Sequence, residues 1–148
     1  MNMINQKFSR AFLSRSPEQT ESFAARFSKR LKPGEVVGLC GELGSGKTTF
    51  MKGILTGLGG GKGAVVTSPT FVLLHEYPTR RGPLCHLDLY RLEKPSDLRE
   101  IDLDGLVSKK GFVFIEWADK FDLLKNYCKY WIGFELRGEK ERKISVTP

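Results

Sequence analysis

Apolar and polar positions along this chain alternate between short strand-like runs and longer amphipathic stretches. Phe8-Ser9-Arg10-Ala11-Phe12-Leu13 reads as a first strand. Ser16-Pro17-Glu18-Gln19 then opens a helix, with Ser16 as N-cap, Pro17 at the first helical position and Gln19 completing a capping box. Phe23, Phe27 and Leu31 recur at i, i+4 and i+8 and form one core-facing stripe, which Lys32-Pro33-Gly34 brings to an end. Val36-Val37-Gly38-Leu39-Cys40 reads as a short buried strand. From Thr49 to Leu58 a second helix is predicted, with Phe50, Met51, Ile54, Leu55 and Leu58 at its apolar spacing.

The distal half is richer in strands. After the glycine-rich connection Gly59 to Gly63, Val65 to Thr70 leads into a strand over Phe71 to Tyr77. Pro78 to Pro83 is turn chemistry, and Leu84 to Tyr90 returns as a second strand, so the two form a hairpin. A short helix begins at Ser96, after Pro95. Phe112-Val113-Phe114-Ile115 is a compact apolar run suited to a strand covered on both faces. Trp131 to Leu136 and Arg142 to Val146 flank Gly138-Glu139-Lys140 as a closing hairpin. The pattern predicts an α/β fold with a mixed, partly antiparallel central sheet, and the strand at 36–40 should lie at its centre. No repeat, low-complexity segment or linker divides the 148 residues, so residues 1–148 read as a single domain.

Between the central strand and the second helix lies Gly41-Glu42-Leu43-Gly44-Ser45-Gly46-Lys47-Thr48, which matches the phosphate-binding pattern G-x-x-x-x-G-K-[ST]. Gly41, Gly44 and Gly46 let the backbone wrap and turn N–H groups inward around an anion, with Ser45 in the same wrap. Lys47 reaches the β- and γ-phosphates, Thr48 offers a hydroxyl to Mg²⁺, and the helix start at Thr48-Thr49 presents its positive end to the same charge. ATP and Mg²⁺ are the implied cofactors, and with this motif the α/β pattern predicts a P-loop NTPase-like three-layer fold with a mixed, partly antiparallel central sheet.

Metal-assisted phosphoryl transfer also needs a carboxylate beside the metal and a group that orients the attacking oxygen. In α/β sheets these come from strand ends. Glu116 ends the apolar run 112–115 in the manner of a Walker-B acid, and Asp88 ends Leu84 to Leu87. Sequence does not divide their roles; each is a catalytic and a metal-ligand candidate, with Lys47 as the third catalytic group. Thr70, in Ser68-Pro69-Thr70, is placed to sense a terminal phosphate as switch loops do, or it belongs to a rigid turn.

Other features are weaker. Asp102-Leu103-Asp104-Gly105 matches the D-x-x-G of GTPases but follows no buried strand, and no N-K-x-D accompanies it. His75 and His86 would face each other if the hairpin turned between Arg80 and Arg81; two histidines alone make a poor metal site, so cross-strand packing is the expectation. Trp117 packs beside a nucleotide or fills core.

Composition then bounds the partners and the compartment. The chain is 40% hydrophobic and 28% charged with a formal charge of +7, as expected of a soluble globular protein. Lys29 to Lys32, Arg80-Arg81, Lys109-Lys110 and Arg137 to Lys143 concentrate that charge, either as solvated turns or as a footprint for an acidic partner. No apolar run approaches the roughly 18 residues of a membrane span, and Met1 to Lys7 lacks the apolar core of a signal peptide, so the expected address is the cytoplasm. The three cysteines are scattered without C-x-x-C; Cys40 reads as a small core residue.

Gly41 to Phe50, Ser68-Pro69-Thr70-Phe71, His86-Leu87-Asp88-Leu89-Tyr90-Arg91-Leu92 and Ile115-Glu116-Trp117 occur in this order, preceded by Ser16-Pro17-Glu18-Gln19-Thr20. Together they resemble the TsaE (YjeE) family of small bacterial ATPases, up to about Trp117. The resemblance implies ATP hydrolysis in support of N6-threonylcarbamoylation (t6A) of adenosine 37 in tRNA. It also implies TsaB and TsaD as partners, with tRNA reached through that pair. It places Lys47 on phosphates, Thr48 on Mg²⁺, Asp88 and Glu116 at the acidic positions, Thr70 at the switch-like position and Pro17 near the nucleotide. Glu42 and Ser45 stand where the family usually has Asp and Ala. A small-molecule P-loop kinase is the alternative, but such enzymes need an acceptor pocket and an arginine-bearing lid, for which Arg80-Arg81 is a slender basis.

Overall fold

The computed structural model describes residues 10–42, 44–60 and 74–148. Seven strands form one sheet: β1 (Arg10–Ser14), β2 (Val36–Gly41), β3 (Leu74–Tyr77), β4 (Leu84–Asp88), β5 (Phe112–Glu116), β6 (Tyr130–Leu136) and β7 (Arg142–Thr147), in the spatial order β1-β7-β6-β2-β5-β4-β3. The P-loop strand β2 is therefore central, as the pattern predicts. It runs parallel to β5 and β6, and β5 is parallel to β4; β1–β7, β6–β7 and β3–β4 are antiparallel. The sheet is mixed because the two hairpins at its flanks return directly, whereas the central strands need crossovers.

Two helices, α1 (Pro17–Ser28) and α2 (Lys47–Gly57), cover one face. Their core joins Phe23, Phe27, Leu31, Phe50, Met51 and Ile54 to Val37 and Leu39 of β2 and to Phe112 and Phe114 of β5. The aromatic rings interlock: Phe12 stacks on Phe23 at 4.7 Å, and Phe50 meets Phe134 edge-on at 5.3 Å. The opposite face packs Val36, Cys85, Leu87, Val113 and Ile115 against Leu98, Leu103, Leu106, Phe121 and Leu124. That third layer consists of α3 (Leu103–Ser108) and 3₁₀ turns at Pro95–Glu100, Ala118–Lys120 and Asp122–Asn126.

Several local differences have physical reasons. Ser16 does cap α1, accepting the Gln19 N–H at 3.1 Å, but Gln19 Oε1 takes the N–H of Arg15 at 2.7 Å rather than that of the cap residue. The helix after the P-loop begins two residues earlier than its apolar spacing indicates, at Lys47, because Gly46 in a left-handed conformation serves as its N-cap. Asp102 of the D-x-x-G stretch is a cap: its carboxylate accepts the Gly105 N–H at 3.0 Å and starts α3, a helix that the sequence pattern does not predict. His75 and His86 are paired across β3 and β4, as the hairpin register requires. Among the described residues no helix is long and apolar enough to cross a membrane.

Candidate nucleotide site

The C-terminal ends of β2, β4 and β5 open into a cleft of about 900 Å³. One wall is the P-loop and the start of α2, with Gly44, Gly46, Lys47, Thr48 and Thr49. A second is the end of β1 and start of α1, with Arg15, Ser16, Pro17 and Thr20. The floor and far wall carry Asp88, Tyr90, Arg91, Glu116 and Trp117, and the tip of the β6–β7 hairpin adds Glu139, Lys140 and Arg142.

The loop geometry follows from its glycines. Gly44 (φ 76°) and Gly46 (φ 105°) adopt left-handed backbone that side-chain-bearing residues rarely tolerate. At Gly41 a Cβ would sit 2.9 Å from both Phe134 Cβ and Ser45 Oγ. Gly41 and Ser45 do not line the cleft; they form the underside of the loop, where the Ser45 hydroxyl is buried without a hydrogen-bond partner among the described residues. Arg142 reaches the carbonyl of Gly44 at 3.4 Å, tying the hairpin tip to the P-loop, and Arg15 lies 3.6 Å from Glu141. Ser14 and Thr20 share a buried hydroxyl–hydroxyl bond of 2.6 Å that fixes the β1–α1 junction beside Pro17.

Lys47 is only 6% exposed. Its Nζ donates to the Gly41 carbonyl at 2.6 Å and stands 4.2 Å from the centre of the Trp117 ring. Burial pulls its pKa below the ordinary lysine value, and the charges of Glu116, Asp88 and Asp119 oppose that fall. Trp117 reaches this position through a left-handed backbone (φ 60°), unusual for a bulky residue. Its ring also lies 5.2 Å from that of Tyr90.

Asp88 and Glu116 are register partners on the parallel strands β4 and β5. Neighbouring strands are about 5 Å apart, so the two carboxylates emerge side by side, on the sheet face that carries α2. Burial raises the Asp88 pKa; the Tyr90 N–H, 2.9 Å from Oδ1, opposes the rise and the Glu116 charge adds to it. Lys120 holds the loop beyond β4 by donating to the carbonyls of Leu89, Tyr90 and Leu92 at 3.3, 2.7 and 2.6 Å.

Thr48, Asp88 and Glu116 together offer one hydroxyl and two carboxylates, hard oxygen donors that suit Mg²⁺. Among the described residues no group of three His, Cys, Asp or Glu could hold a metal unaided.

The structure thus brings Pro17, Gly44, Gly46, Lys47, Thr48, Thr49, Asp88 and Glu116 to one cleft. Thr70 lies outside the described residues. Cys40 is half-buried rather than a full core residue; burial and the nearby Asp119 charge push its thiol up to about 11. Arg15, Tyr90, Arg91, Lys140 and Arg142 line the cleft although sequence reasoning does not single them out as site residues; that Arg15, directly after β1, and Arg142, in the neighbouring strand β7, come together is a topological fact with no local signal.

A family model described as "Threonylcarbamoyl adenosine biosynthesis protein TsaE" matches residues 14–144. The chain belongs to the TsaE family. Relatives named tRNA threonylcarbamoyladenosine biosynthesis protein TsaE include those of Rickettsia bellii, 39% identical over 99% of this chain and 98% of the relative, and of Bacillus subtilis, 37% identical over 89% and 81%. The crystal structure of Bacillus subtilis YdiB superposes with a TM-score of 0.73 at 31% identity, covering 94% of this chain and 84% of the other. The TsaE match spans both the P-loop and the two strand-end acids.

Proposed function

We propose that this chain is a slow, partner-dependent ATPase that serves the threonylcarbamoyl (t6A) modification of adenosine 37 in tRNA, working through the TsaB and TsaD proteins. The family and the names of its relatives support the pathway. One observation carries the chemistry: Lys47, Thr48, Asp88 and Glu116 converge in a single cleft at the mouth of the central strand.

The residues divide the work as follows. The P-loop amides and the N-terminal end of α2 bind the phosphates. Lys47 exchanges its Gly41 carbonyl and Trp117 face for phosphate oxygens, which a partly desolvated ammonium does readily. Mg²⁺, held by Thr48 and an acid, would neutralise phosphate charge. Glu116, 3% exposed and beside Asp88, orients the attacking water and accepts its proton. Pro17, Thr49 and the β1–α1 junction close the nucleotide end.

The test is ATP turnover by the purified chain alone, then with TsaB and TsaD added singly and together, with metabolite phosphorylation followed in parallel. Slow phosphate release that changes rate with both partners is expected. ATP binding without turnover under every condition would refute the ATPase reading, and phosphoryl transfer to a metabolite would favour the kinase.

A further inference from the structure

His86 is fully buried in β4, yet neither ring nitrogen has a hydrogen-bond partner among the described residues. Its register neighbours are Phe114 on β5 and His75 on β3, an apolar and an aromatic flank in which a leucine or phenylalanine would be at home. A buried polar group without a partner is a cost that native structures seldom carry without a use. Here the ring has a direction: Nε2 lies 3.6 Å from Oε2 of Glu116, just beyond hydrogen-bond reach.

We infer that His86 is a positioning residue for Glu116: through a proton on Nε2 it donates to Oε2 and fixes which carboxylate oxygen faces the cleft. A movement of about half an ångström closes the bond. Binding of nucleotide draws Glu116 into place, and the ring follows as a support from behind, much as the partners behind metal ligands set ligand orientation. The imidazole is fully buried and does not line the cleft, so it acts only through Glu116. This deepens the ATPase reading and rests on it for the rate, but the ring's own state can be read separately.

The experiment compares His86→Phe and His86→Gln in the full chain with TsaB and TsaD. Removing the unpartnered nitrogens should leave the melting temperature of His86→Phe equal to or above that of the parent, because deleting an orphaned polar group is neutral or stabilising. Affinity for ATP should stay within about twofold while kcat falls about tenfold or more. His86→Gln, whose amide nitrogen reaches the position of Nε2, should recover most of that rate. A His86→Phe variant that is stable and turns over at the parental rate overturns the inference, as does His86→Gln failing as badly as His86→Phe. Should His86→Phe not fold, ¹⁵N-histidine spectra of the parent with a non-hydrolysable ATP analogue and Mg²⁺ decide. The Nε2–H tautomer, perturbed by Glu116→Gln, is expected; an Nδ1–H tautomer overturns the inference. If the parent has no turnover the ATPase reading fails, and the spectra still decide the role of His86.

Discussion

Lys47 and Glu116 sit in one cleft; the proposed reaction has them act at different moments, and that difference is measurable. In that reading Lys47 exchanges a carbonyl and an aromatic face for phosphate and so contributes to the bound ground state. Lys47→Ala should weaken ATP binding by about 100-fold or more, ~3 kcal/mol. In the same reading Glu116 acts on the water. Glu116→Gln should hold ATP within a fewfold of the parent and lower kcat by about 10² to 10⁴. Calorimetric titration beside a phosphate-release assay separates the two; equal loss of binding in both variants would make Glu116 a structural acid. Trp117 completes this residue-level picture. Its left-handed backbone turns the chain immediately after Glu116, which lets the ring cover Lys47 while the carboxylate stays in the cleft.

At the scale of elements, the contact between α1 and α2 governs how the phosphate loop is held. A Cβ at Gly53 would run into the Glu21 carbonyl oxygen and lie 2.7 Å from Ala24 Cβ; at Gly57 it would strike Ser28 Oγ. Helix propensity alone favours alanine at Gly53 by about 1 kcal/mol. Overpacking against backbone costs about 1–3 kcal/mol or more and wins. Gly53→Ala should therefore lower the unfolding free energy by roughly 1–2 kcal/mol, seen as a lower denaturant midpoint at unchanged slope. Sequence pattern suffices for both helices, the central place of β2 and the two hairpins, because each rests on local period and turn chemistry. It does not suffice for α3, whose six residues are too short to show a period, or for the third layer of 3₁₀ turns. Of the site, the P-loop and the two acids are legible as strand-end chemistry. Arg15, Arg142 and Tyr90 are not, because only the sheet order brings their loops together.

For the molecule as a whole, charge and pH matter most. Several basic residues are engaged internally: Arg81 donates to the carbonyls of Ser28, the last residue of α1, and of Leu31 beyond it, Lys109 pairs with Glu76, and Arg137 with Glu135. Lys29 and Lys32 remain exposed. Counting basic clusters cannot distinguish such staples from a docking face. Burial holds the Asp88 carboxyl above its ordinary range. Its folded form therefore grips a proton more tightly than the unfolded chain does. The stability this provides is complete below the unfolded value, about 3.9, and is lost as pH rises through the higher folded value. Asp88→Asn should remove that loss, flattening melting temperature against pH toward neutrality while reducing ATP turnover. A melting profile that keeps the parental slope would show that Asp88 is not its source.

The missing side chains at Gly53 and Gly57 have a mechanical consequence. With so little space between them, α1 and α2 cannot slide past each other, so the Ser16–Pro17 corner and the lysine of the loop travel as a single block. The wall opposite, at the tip of the β6–β7 hairpin, is fastened to that block through the Arg142 contact with the Gly44 carbonyl and the Arg15–Glu141 pair.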